Sequence, residues 1–192
     1  MMKAKQTRKR THGQQGFTLL EAMISCAILT VGLVALLAVF AMAVGATQNV
    51  QLDTIARQKA TETLESIFTA RETAQLPFAA IQNQSANTPG IFVNGMQPLT
   101  DPGPDGLDGT ADDVPAAPIT VPGSTGTMTG ANASTKVISL TNFQRQIQIS
   151  DVNNADGTVD SGLREIVVTI QYQIPQGPTR TYTVQAMISQ YR

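Results

Sequence analysis

The sequence predicts an α+β protein: one long N-terminal helix packed on a small C-terminal antiparallel sheet of about three strands. Three observations carry that prediction. Residues 22–47 hold no charged side chain, residues 48–76 set apolar side chains at three- and four-residue steps, and residues 137–192 contain runs in which apolar and polar side chains alternate. Residues 77–136, rich in Pro and Gly, separate the helical part from the strands.

The charge is divided unequally along the 192 residues. Lys3, Lys5, Arg8, Lys9 and Arg10 stand in residues 1–16, which contain no acid, whereas the rest of the chain holds 14 acidic residues and only eight basic ones. An acidic body argues against nucleic acid as a partner, because neutralising phosphates needs a basic surface. Cys26 is the single cysteine, so neither an intramolecular disulfide nor a Cys-based metal site can form; a small apolar helix residue and an intermolecular bridge remain. His12 is the only histidine and lies in the leader, and no phosphate-binding Gly-rich loop, Gly-x-Ser-x-Gly or His-Glu-x-x-His motif is present. The chain does not read as an enzyme.

Taken in order, residues 1–16 form a basic leader. Lys and Arg beside an apolar segment hold that side in the cytoplasm, which puts the N-terminus inside and the C-terminal domain outside. The 26 uncharged residues from Ala22 to Thr47 would rise about 39 Å as a helix, enough to cross a hydrocarbon core of about 30 Å. Membrane lipid is therefore the expected surrounding of residues 17–47. Ala43-Val-Gly-Ala46 imitates a signal-peptidase site, but the apolar run is long for a secretory signal. One carboxylate, Glu21, sits at the lip of this run, where a lone charge is costly unless it finds a partner.

The hexapeptide Gly16-Phe17-Thr18-Leu19-Leu20-Glu21, directly after a basic leader and directly before an apolar helix, resembles the class III signal of type IV prepilins and type II secretion pseudopilins. The resemblance implies cleavage after Gly16 by a prepilin peptidase, removal of the leader, N-methylation of Phe17, and a role for Glu21 as the carboxylate that meets a neighbouring subunit's N-terminal amine. Such a pair in a greasy bundle acts through register, since wrong alignments leave a charge unpaired. It also implies other pilins or pseudopilins and an inner-membrane assembly platform as partners. The protein would sit as a single-pass span in the inner membrane, with its C-terminal domain periplasmic, until it enters a filament. Ile28-Leu-Thr-Val-Gly-Leu-Val-Ala-Leu36 and Ala56-Arg-Gln-Lys-Ala-Thr-Glu-Thr-Leu-Glu65 resemble the minor pilins called PilV, and the Pro common in major pilin helices is missing. A minor pilin of a type IV pilus, a minor pseudopilin, and a bitopic membrane protein with an extracytoplasmic binding domain are the three readings this leaves.

From Gln48 the helix becomes amphipathic: Leu52, Ile55, Ala56, Thr63, Leu64, Ile67 and Phe68 share one side, and Pro77 bounds it. Residues 77–136 are expected to be a long surface excursion with little regular structure. Within them Asp101, Asp105, Asp108, Asp112 and Asp113 are interleaved with Gly. These carboxylates could wrap calcium, or form a solvated, turn-rich loop; the spacing is not that of an EF-hand.

The C-terminal strands follow from parity. Phe143, Ile147 and Ile149 share one face; Ile166, Val168, Ile170, Tyr172 and Ile174 share another; Tyr182, Val184, Ala186 and Ile188 form a third inward set. The amphipathic half of the helix is the expected cover for this sheet.

Overall fold

A computed structural model describes residues 18–122, 135–175 and 177–191. The leader, His12, Gly16 and Phe17 lie outside the described residues. Helix α1 spans Leu19–Glu72 as one 54-residue element, and the chain divides into two units between Thr47 and Gln48.

In the first unit α1 is solvent-facing on every side. Leu19, Leu20, Met23, Ile28, Leu33 and Phe40 are each more than half exposed. An all-round apolar helix with no protein cover requires an apolar surrounding. Its hydroxyls are matched to that condition: Thr30 donates to the Cys26 carbonyl at 2.7 Å and Thr47 to Ala43 at 3.0 Å, so neither needs water.

In the second unit α1 presents a buried stripe, Ile55, Ala56, Ala60, Thr63, Leu64, Ile67 and Ala70, at helical spacing. The helix ends through Ala74, a non-glycine residue at φ 62°, which turns the chain so that the Leu76 amide reaches the Ala70 carbonyl at 2.9 Å.

The stripe packs on a four-stranded antiparallel sheet. Strands β1 (Gln97–Pro98), β6 (Phe143–Asn153), β7 (Val159–Gln173) and β8 (Thr179–Ser189) lie in the order β1-β6-β7-β8. Ile147 opposes Val168, and Val168 opposes Val184, so the inward sets anticipated from parity fall on one face. Ile67, Ile166, Val168 and Ile170 are wholly buried at this helix–sheet contact. Truncating one of them to Ala costs about 2–5 kcal/mol.

The structure adds two details to these expectations. Beside the three long strands the sheet carries a short one, β1, which is two residues long and contains Pro98, too short for alternation to reveal. The connecting region is also more structured than its composition suggests. It holds a 3-10 turn at Phe78–Ala80 and two short antiparallel ribbons: β2 (Thr100–Asp101) with β3 (Val114–Pro115), and β4 (Ile119–Pro122) with β5 (Thr135–Ile138). Its scattered apolar residues Phe78, Ile81, Phe92, Leu99 and Leu107 all join the core. Single large side chains spaced through a turn-rich stretch carry no period, so pattern reading misses them.

Candidate functional site

Two places gather the residues singled out by sequence. At the N-terminal end, Thr18 precedes the helix and its hydroxyl accepts the Glu21 amide at 3.3 Å, while the Thr18 carbonyl accepts the same amide at 3.0 Å. Thr18-Leu-Leu-Glu21 thus has the order of a capping box, with Thr18 as N-cap and Glu21 at the third helical position. A carboxylate in the first turn also lies in the favourable field of the helix dipole. Glu21 is exposed.

The Asp-rich segment is the second place, and the structure distributes its five carboxylates over different partners. Asp108 and Asp113 both reach the buried Arg145 guanidinium, at 2.8 and 2.9 Å. Thr63 on α1 donates to Asp108 at 3.0 Å, and Thr100 donates to Asp113 at 2.6 Å. Asp101 accepts the Ala117 amide at 2.8 Å and lies 3.4 Å from Lys59. Burial depresses the Lys59 ammonium, but its hydrogen bonds and charge attraction with Glu62 and Asp101 outweigh that and raise it overall.

Asp105 and Asp112 face solvent instead. Asp105 accepts the Leu107 amide at 2.8 Å, and Asp112 accepts the Thr110 hydroxyl at 2.6 Å, a bond that holds the Asp112 carboxyl below the usual range. Among the described residues no group of three or more His, Cys, Asp or Glu side chains is arranged to hold a metal ion. Gly109, at φ 86°, keeps the segment against β6, since a Cβ there would stand 2.3 Å from the Ile147 side chain.

Residues 11–37 match the family model described as the prokaryotic N-terminal methylation motif. The match supports a type IV prepilin-like class III signal at the N-terminus. No curated protein matches the chain, and no solved structure does. The motif implies processing by a prepilin peptidase and assembly with other pilins, and together with the long apolar helix it indicates membrane anchoring.

Several residues that organise the Gln48–Arg192 unit escaped the sequence reading. Arg145 and Arg164 both stand on the inward parity of their strands, Arg145 between Phe143 and Ile147 and Arg164 beside Ile166. That position was a usable signal, because a charge facing a core must be paired. Arg164 donates to the Phe78 and Ile81 carbonyls, closing the 3-10 turn onto the sheet, and lies 4.4 Å above the Phe78 ring. Asp53, Tyr172 and Arg180 form a third cluster: the Tyr172 hydroxyl donates to Asp53, and Arg180 pairs with the same carboxylate at 3.2 Å. Burial, with the Asp53 hydrogen bond, raises the Tyr172 phenol above its ordinary value.

Proposed function

We propose that the protein is a minor pilin of a type IV pilus. The N-terminal methylation motif at residues 11–37, continuous with the exposed apolar half of α1, carries this reading. The prepilin waits in the inner membrane with residues 1–16 in the cytoplasm and its C-terminal domain in the periplasm. Prepilin peptidase cuts after Gly16 and Phe17 becomes the methylated first residue. The apolar half of α1 then exchanges lipid for the helices of other subunits at the assembly platform. Both surroundings are apolar, so the exchange costs little hydrophobic energy, and the Glu21 carboxylate directs register by seeking a neighbour's N-terminal amine.

Mass spectrometry of the protein recovered from cells tests the reading. A first residue Phe17 bearing one methyl group is expected; an intact Met1, or cleavage beyond Ala46, rejects it. Glu21→Ala is expected to leave cleavage intact and to lower recovery in sheared surface fibres. The absence of the wild-type protein from such fibres, despite correct processing, would favour a pseudopilin of a type II secretion system instead.

A further inference from the structure

Four pairs of Asn or Asp followed by Gly occur in the chain: Asn94-Gly95, Asp105-Gly106, Asp108-Gly109 and Asp156-Gly157. Their glycines are the four described glycines with positive φ, between 70° and 86°, so each pair makes a turn that a residue without Cβ enters cheaply. The missing side chain also leaves the glycine nitrogen open to the carbonyl carbon of the side chain before it. The structure closes that route at three of the pairs. The Gly106 amide donates to the Gly103 carbonyl at 3.0 Å, the Gly157 amide to the Asn154 carbonyl at 3.0 Å, and the Gly109 amide to Asp113 at 2.8 Å. Their carboxylates are engaged as well. Asp105 accepts the Leu107 amide, Asp108 pairs with Arg145, and Asp156 accepts both the amide and the hydroxyl of Thr158, which hold its carboxyl below the usual range.

Asn94-Gly95 differs on each count. Among the described residues the Gly95 amide has no acceptor, and both residues of the pair are exposed. They line an open cleft of about 330 Å³ with Asn83, Gln146 and Gln148, a polar setting that admits water. The side chain is a neutral carboxamide, a better electrophile than an ionised carboxylate, and ammonia can leave from it. Its restraint among the described residues is one hydrogen bond, from Asn94 Nδ2 to the Gln84 carbonyl, made between exposed groups where water competes.

We propose that Asn94 is a modification site, at which the folded protein deamidates spontaneously through the Gly95 nitrogen. Hydroxide removes the Gly95 amide proton, the nitrogen bonds to Asn94 Cγ, and the Cγ–Nδ2 bond breaks. Ammonia leaves with a proton from water, which regenerates the hydroxide. The product is a cyclic succinimide. Water then adds at either of its carbonyls, so the ring opens to aspartate or to isoaspartate with no change of oxidation state. Both products set a carboxylate against the Gln84 carbonyl where a donor had been. Isoaspartate also lengthens the main chain by one carbon. The lengthened stretch lies between two fixed points, the Val93 amide on the Gly109 carbonyl at 2.9 Å and Gln97 opposite Arg145, so the change loosens β1 from β6.

The test is peptide mapping by mass spectrometry of the full chain, held folded in detergent micelles and mildly alkaline buffer for several weeks, with fragmentation that separates aspartate from isoaspartate. Asn94 should convert at a rate that rises with pH and runs at least about tenfold ahead of isomerisation at Asp105, Asp108 and Asp156. Asn94→Gln, whose longer side chain would need a larger ring, should abolish the conversion without moving the melting temperature. Amide hydrogen exchange on fresh protein reads the cause: Gly95 should exchange as fast as in an unfolded peptide, while Gly106, Gly109 and Gly157 are slowed. In the isoaspartate fraction, separated by its added negative charge, the Leu99 amide that bonds the Phe143 carbonyl should exchange faster than in fresh protein. Conversion no faster than at the three aspartates, or conversion that begins only when urea unfolds the chain, overturns the site. A slowly exchanging Gly95 amide overturns the route through its nitrogen, and unchanged Leu99 exchange overturns the loosening of β1.

Discussion

Residues 19–47 and 48–72 belong to one continuous helix, yet they meet opposite requirements. The first part is apolar all round and buries nothing within the chain; the second confines its apolar residues to a stripe and buries it on the sheet. Threonine hydroxyls in both parts turn back onto the helix, Thr30 and Thr47 of the first and Thr54 and Thr61 of the second, and Thr63 adds a contact outside it, to Asp108. A helix is thus assigned its surroundings by the angular spread of its apolar side chains, not by its backbone.

The largest expected effect breaks the second half's anchorage. Arg145→Ala leaves Asp108 and Asp113 buried without their cation, which costs about 3–5 kcal/mol. Thermal unfolding followed by circular dichroism should show the loss, while resistance of the protein to carbonate extraction from membranes stays as in the wild type. The converse substitution is Leu33→Lys, which places a charge in the exposed apolar half at a cost of about 2.5–3.5 kcal/mol on insertion. Carbonate extraction should now release the protein, and the Gln48–Arg192 unit should melt unchanged. If both variants failed in both assays, the two halves would not be separable.

A smaller effect sharpens the picture of how α1 is held to the sheet. Tyr172 and Lys59 are both raised above ordinary values of 10.0 and 10.5, so each contributes stability that is complete below those values and is lost as pH rises past them. The melting temperature should therefore fall above pH 10, and Tyr172→Phe should flatten part of that fall while costing about 1 kcal/mol at neutral pH. A wild-type melting curve indifferent to alkali would remove this role. The smallest effect is a gain: Ala74→Gly relieves a left-handed conformation at the end of α1 and should stabilise by about 0.5–1 kcal/mol in chemical denaturation.

The sequence read well wherever a period operates. The helix stripe and the inward parity of Phe143, Ile147, Ile166, Val168, Ile170 and Tyr172 could be taken from spacing alone, whereas the processing signal at Gly16 to Glu21 came from resemblance to a known family, whose methylation-motif model matches residues 11–37. Spacing is silent where one residue answers to a distant one. The five aspartates looked like a single acidic cluster, but Asp108 and Asp113 belong to Arg145, Asp101 interacts with Lys59, and only Asp105 and Asp112 face solvent.

By itself, then, the sequence determined the fold class, the apolar and amphipathic halves of α1, and the N-terminal signal. Each depends on neighbours within a few residues, where backbone geometry makes spacing equivalent to direction. Only the tertiary structure decided which carboxylate meets which cation and which strand β1 pairs with. Those are pairings between residues tens of positions apart, and no local period encodes them.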